Sequence, residues 1–384
     1  MAIYLVSFAL SMLLIACTEK RCKAYFVFFS FIALLIPCLL AGLRAETVGT
    51  DVTVYIKPMV EVARNADSFK EFWNGSWFHI WRDKFVYEHE IGFAALLFVV
   101  TKLTGNMGAV LFAIQAVTVV PIFTALALNR KNAPVWPGML VYYLMYFNST
   151  LNMMRQWMAM GLLLLAFRML ADKKYWKWLL FTLLAISFHY SAVIVVPIYL
   201  VWWFLGLFRK RTLAQGNLKI SSRMLMVALI FCAGFVVIMN LGLVLKIMIA
   251  AGFGRFSNYL TGNGVYLLLT QVALRLPVLC VTLFSWKRLR NATPNAAFFL
   301  AMMLLDLLAS QIASMSAYAF RIAFYFAMYA ILAVPYLFKY QKSRFEKTLV
   351  ALVLTAFFAA YWYYTYVLSG NHQTVPYAFQ LLQL

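Results

Sequence analysis

Arg155 and Gln156 lie about one turn inside an apolar run of helical length, and His189 lies between two further apolar segments, all within the stretch Asn148–Ser191. An arginine in lipid costs roughly 2.5 kcal/mol or more at the centre of a helix and less near its end. Its planar fork of N–H donors suits phosphate oxygens. A histidine can accept a proton near neutral pH or donate a hydrogen bond to a diphosphate. The plain alternatives are that Arg155 snorkels to the headgroups and that His189 is a structural residue at a helix end. Two carboxylates, Asp51 and Glu90, flank a polar stretch earlier in the chain and have the chemistry of a general base acting on a hydroxyl.

The elements that must position these residues are membrane helices. The 384 residues are 65% hydrophobic and 12% charged, too apolar for a water-soluble surface. Runs long enough to cross a bilayer recur from end to end. The alternation of a membrane barrel is absent, so the fold class is an all-α polytopic integral membrane protein, with one transmembrane domain over residues 1–384. The net charge of +21 does not point to nucleic acid, because the basic residues cluster in short loops between apolar runs, the positive-inside pattern. The five cysteines lie in or beside apolar segments without metal-ligand spacing, and neither disulfide nor zinc is expected. The first apolar run has no basic residues before it and Lys20, Arg21 and Lys23 after it, which reads as a retained first helix with an external N-terminus.

Residues 44–90 hold eight of the 12 acidic residues together with Trp73, Trp77 and Trp81. This stretch reads as an extracytoplasmic loop carrying an interfacial helix. Calling the basic clusters cytoplasmic gives consistent hairpins from Arg130 onward, with one conflict. Two full crossings between Glu90 and Arg130 would put Arg130 outside. Either the shorter run, Ile91–Thr104, dips in without crossing, or the Arg130-Lys131 pair breaks the rule. The total is about 11 to 13 transmembrane or re-entrant helices.

Under this topology Arg44, Asp51, Glu90, Arg155, Gln156, His189, Arg255 and Arg321 all fall near the outer membrane–water boundary. Several arginines there, with few acids in the helices beside them, suit an anionic ligand such as a diphosphate at headgroup level, although outward-facing arginines also bind ordinary lipid phosphates. Asp306 and Arg275 lie deeper and are expected to form a structural ion pair. His79, Asp83, His89 and Glu90 fit no metal-binding spacing, and no phosphate-cradling glycine loop or nucleophile elbow is present.

Five short patterns occur in order: Gly42-Leu43-Arg44 followed by Gly49-Thr50-Asp51 and Tyr55; Glu90-Ile91-Gly92-Phe93; Asn152 with Arg155-Gln156 and Ala159; Phe188-His189 with Ser191-Ala192; and Arg321 with Tyr325-Phe326. Together with Val375-Pro376-Tyr377 they resemble the EpsG family of bacterial membrane proteins, which includes Wzy-like O-antigen and exopolysaccharide polymerases. The resemblance implies a GT-C-like membrane architecture and a metal-independent glycosyltransferase with no cofactor. It implies a multi-pass protein of the bacterial inner (cytoplasmic) membrane whose active face is periplasmic. A glycan held on undecaprenyl diphosphate would pass to a hydroxyl of the next lipid-linked repeat, with a chain-length regulator and a flippase as possible partners beside the membrane lipids.

On the matching positions, Arg155 and Arg321 would hold the donor diphosphate, with Gln156 and Arg255 beside them, and Arg44 the second lipid diphosphate. The base would be Glu90, Asp51 or His189, in that order. Competing readings are a flippase or transporter of lipid-linked glycans, a ligase, and a non-catalytic assembly component. A translocation path would want polar residues along its whole length, whereas here they gather at one face.

Overall fold

A computed structural model describes residues 1–207, 212–215, 218–250, 265–316 and 318–380. The described residues are predominantly helical, and seven of their helices are long and apolar enough to cross a membrane. It divides into two compact units, residues 1–195 with 355–384, and residues 196–354.

The first unit is built round one helix. In chain order it contains α1 (Ala2–Thr18), α2 (Lys23–Gly42), α3 (Lys57–Asn65), α4 (Phe69–Asn74), a hairpin of β1 (Ser76–His79) and β2 (Arg82–Phe85), α5 (Ile91–Thr104) and α6 (Met107–Ala127). There follow α7 (Trp136–Val141), which runs through a wider π turn at Tyr142–Tyr146 into α8 (Phe147–Thr150), then α9 (Met154–Ala171) and α10 (Tyr175–Phe188). Helix α9 is the centre. Its sequence is apolar on every side, the pattern of a helix enclosed by others. Only Arg155, Arg168 and Ala171 along it escape burial. It packs between α6 and α10. Gly161 lets α6 approach so closely that a Cβ there would stand 2.5 Å from the carbonyl oxygen of Thr118.

Contacts along the bundle sort its two ends. At one end the backbone N–H of Val135, before α7, donates to Glu19 at 2.9 Å, and Arg168 reaches Asn129 beyond α6 at 2.9 Å. Lys20, Arg21, Arg130, Lys131, Lys173 and Lys174 sit in the turns of that end, and Lys23 opens α2 there. At the other end, Gly42 closes α2 against Gly108 at the start of α6, where a Cβ would meet the Gly42 carbonyl oxygen at 2.5 Å.

This sorting decides how α5 lies. Its leading residue, Glu90, touches Arg155 and His189, at the start of α9 and the end of α10. Its trailing residue, Gly105 (φ +63°), accepts a forked pair from Arg64 at 3.0 and 2.7 Å and leads at once into α6 beside Gly42. Both ends of α5 therefore lie at the same end of the bundle, and the helix does not cross it. Of the two ways round the Arg130 conflict, the geometry takes the one in which Ile91–Thr104 dips in. One stripe of α5 is buried (Phe93, Ala94, Leu97, Thr101), while Ile91, Val99 and Leu103 face outward. Residues 44–90, expected to carry one interfacial helix, form a π turn at Val52–Ile56, two short helices and a hairpin. Trp73 falls on α4 and Trp77 on β1, and Trp81 stands 90% exposed at the hairpin tip.

The last long helix, Arg344–Trp362, continues as a π turn to Leu368 and returns the chain to the Glu90 end, where Trp362 donates to Asn148 at 2.8 Å. The second unit contains the apolar helices Ser222–Met239 and Ala296–Ala309, packed round Ile238, Leu308 and Ala323. Within it Arg275 and Asp306 form the ion pair expected of them, Nε to Oδ1 at 3.0 Å, each largely buried.

The α6–α9 contact has a direct test. Gly161→Val forces a branched side chain against backbone, an overpacking that costs about 1–3 kcal/mol. The variant is expected to unfold at a lower temperature than wild type in detergent, and an unchanged midpoint would contradict the close approach described.

Candidate active site

The polar residues of the first unit gather where four pieces of chain meet: the turn after α2, the start of α5, the start of α9 and the end of α10. Glu90 is the hub. Its backbone is extended (φ −70°, ψ 138°) and it caps α5, a position where the helix dipole favours negative charge. One carboxylate oxygen accepts from Arg155 Nη1 at 2.5 Å. The other faces His189 Nδ1 at 2.8 Å and accepts the backbone N–H of Tyr190 at 3.3 Å. The Glu90 side chain is 4% exposed, whereas Arg155 and His189 each keep 25%. Gly92 makes this junction possible, since a Cβ there would strike Ser187 Oγ at 2.4 Å.

Burial alone would raise the Glu90 pKa. The hydrogen bond from His189 and the charge of Arg155 outweigh it and hold the carboxyl down to about 2. Glu90 is therefore ionised at neutral pH and can only accept. His189 Nδ1 must then donate to it, which directs the lone pair of a neutral ring to Nε2. Neighbouring His89 behaves differently: burial and the charge of Arg155 lower its pKa to about 4. It is an uncharged ring packed on Tyr55, Trp77 and Phe93 at 5.4–6.4 Å between centroids.

Tyr55 links this hub to Asp51. Its ring lies 5.1 Å from the Arg155 guanidinium, within cation–π range. Its hydroxyl donates to Asp51 Oδ2 at 2.7 Å. Asp51 is held in turn by its own N–H donating to Asn152 Oδ1 at 3.1 Å, beside a 2.8 Å bond from Thr50. Gly49 (φ +87°) allows the turn, because a Cβ would lie 2.8 Å from the Leu151 carbonyl oxygen.

The remaining residues singled out in the sequence have different settings. Arg44 belongs to the same end but is 1% exposed. Its Nη2 contacts Met154 Sδ at 3.3 Å, and its Nε and Nη1 have no hydrogen-bond partner among the described residues. Burial lowers its pKa to about 10, partly offset by Tyr4, Tyr377 and Tyr55. Gln156 is 5% exposed, inside the bundle. Arg321 belongs to the second unit, in the 3-10 turn Ala319–Ala323, with its guanidinium 5.2 Å from the Tyr318 ring. Arg255 lies outside the described residues. Tyr55 and Asn152 appeared in the sequence only as letters of motifs, and His372, which meets Asn152 at 3.3 Å, carried no signal.

An all-α membrane bundle with an Arg–Glu–His cluster at one end thus matches the pattern from which the resemblance was drawn. The sequence profile of the EpsG family matches residues 27–379, and the chain belongs to that family of exopolysaccharide and O-antigen polymerase-like proteins. No curated protein and no solved structure matches the chain.

Because its pKa is depressed on folding, Glu90 contributes stability that is present above about pH 4.5 and lost as pH falls toward 2. The contribution is roughly 3 kcal/mol at neutral pH. Glu90→Gln is expected to melt lower than wild type at pH 7, with the gap narrowing as pH falls from 5 to 3. Equal midpoints at pH 7 would show that the cluster contributes no stability.

Proposed function

We propose that this protein polymerises a polysaccharide by moving a glycan from undecaprenyl diphosphate to a hydroxyl of the next lipid-linked repeat, without a metal ion. The observation that carries this reading is that one buried carboxylate holds both an arginine and a histidine at the mouth of the bundle, in a member of a polymerase-like family. The acceptor oxygen attacks the anomeric carbon, the bond from that carbon to the diphosphate oxygen breaks, and undecaprenyl diphosphate leaves carrying the electron pair.

Arg155 faces the charge that grows on the leaving diphosphate, an electrostatic role. His189 Nε2 takes the proton of the acceptor hydroxyl. Glu90, chosen first as base from the sequence, is engaged by three donors, and its depressed pKa makes it a weak proton acceptor. It suits the holding of Arg155 and His189 better than proton abstraction. Asp51 is likewise occupied by Tyr55. Arg44, buried against Met154, takes no direct part in the transfer in this reading.

The reacting end is periplasmic in this reading and the membrane is the bacterial inner membrane. The lysine and arginine clusters at the Glu19–Val135 end support it, since such clusters stay in the cytoplasm.

The test uses a strain lacking the gene, complemented with wild type, Arg155→Ala or His189→Ala, with lipid-linked and surface glycan separated on a gel. Wild type is expected to restore a ladder. Compared at matched protein level, each variant is expected to leave single repeats at the surface, a loss of roughly 10²–10³-fold in chain growth. Repeats trapped on the cytoplasmic face would instead mean a flippase, and normal ladders from Arg155→Ala would remove Arg155 from the chemistry.

A further inference from the structure

Beyond Leu368 the chain turns sharply and runs back across the site end of the bundle. Gly370, His372 and Gln373 all take left-handed backbone conformations, with φ of 62°, 68° and 51°. The returning segment is then fastened at seven points. The N–H of Gly49 donates to Gln373 O at 3.0 Å and that of Ala45 to Ala378 O at 2.8 Å, while Gln380 N–H donates to Leu43 O at 3.0 Å. The Tyr4 hydroxyl donates to Thr374 O at 2.7 Å, Asn148 Nδ2 to Thr374 Oγ1 at 2.9 Å, and the Tyr377 hydroxyl to Leu40 O at 2.8 Å. The seventh contact is Asn152 Nδ2 to His372 Nδ1 at 3.3 Å.

The last contact can be oriented from chemistry alone. The backbone N–H of Asp51 can only donate, so the Asn152 atom it meets is the amide oxygen. The amide nitrogen therefore faces His372, and it can only donate. His372 Nδ1 must accept, which places the proton of a neutral ring on Nε2. From His372 the connection runs through Asn152 to the N–H of Asp51, through the Asp51 carboxylate to the Tyr55 hydroxyl, and through the Tyr55 ring to the Arg155 guanidinium.

We propose that the segment 370–380 is part of the reacting site, with His372 a positioning residue that orients Asn152 and, through Asp51 and Tyr55, the support on which Arg155 rests. This rests on the reading that Arg155 serves glycan transfer, but its structural half can be tested apart from catalysis. His372→Asn keeps an acceptor at about the place of Nδ1 and tolerates the left-handed backbone. His372→Gly relieves that backbone equally and has no acceptor.

Both variants and wild type would be purified. Hydrogen exchange at the Asp51 amide would be followed in each, and chain extension of lipid-linked repeats isolated from the host strain would be measured in proteoliposomes. His372→Asn is expected to keep Asp51 protected and to extend chains near the wild-type rate. His372→Gly is expected to lose that protection and to slow extension roughly ten- to hundred-fold, with its thermal midpoint close to that of His372→Asn. Two variants that match each other, in both protection and rate, would overturn the proposal. If wild type itself extends no chains, the polymerase reading fails, while the exchange comparison still decides whether His372 holds the loop.

Discussion

A carboxylate buried at the mouth of an apolar bundle has to be compensated, and in this protein the compensation organises the site. Glu90 is stable as an anion only because Arg155 and His189 come to it, and those residues stand at opposite-running ends of α9 and α10. Meeting both fixes where α5 begins. The alternative, a charged group left unpaired in a poorly solvated place, would cost several kcal/mol. The same demand is met with a different device in the second unit, where Arg275 and Asp306 satisfy one another at depth.

The supporting structure follows from that demand. Small residues sit where backbones must nearly touch: Gly42 on Gly108, Gly92 on Ser187, Gly161 on Thr118. In lipid, where apolar surfaces gain little by leaving solvent, such close approach supplies much of the helix–helix attraction. Tyr4, Tyr55 and Tyr377 provide bulk together with a hydroxyl that finds a partner, which suits a zone between apolar interior and polar rim.

Much of this was legible in the sequence, and the reason is chemical. Arginine, glutamate and histidine are conspicuous against apolar helices, so Arg155, Glu90 and His189 stood out and topology brought them together. The motif glycines were visible too, although their contacts were not. What stayed hidden depends on pairings distant in the chain. His372 meets Asn152 across 220 positions, and nothing local to the tail marks it as anything but solvated. Arg44 read as a surface cation because it follows a helix end, but the returning chain covers it. The β1–β2 hairpin was masked because Ser76–Phe85 mixes tryptophan, phenylalanine and charges without steady alternation. The non-crossing path of α5 was one of two options that charge counting left open, and only contacts at both of its ends separate them.

The two partly exposed arginines of α9 also act as a ruler. Arg155 and Arg168 stand 13 positions apart, about 20 Å along a helix axis. A typical bilayer has a hydrocarbon core of about 30 Å. The stretch between them is thus shorter than a bilayer core, and neighbouring helices rather than lipid enclose it. A helix this short meets polar partners supplied by the chain at both ends, Glu90 at one and Asn129 with Asp172 at the other, so its arginines are held by the protein itself.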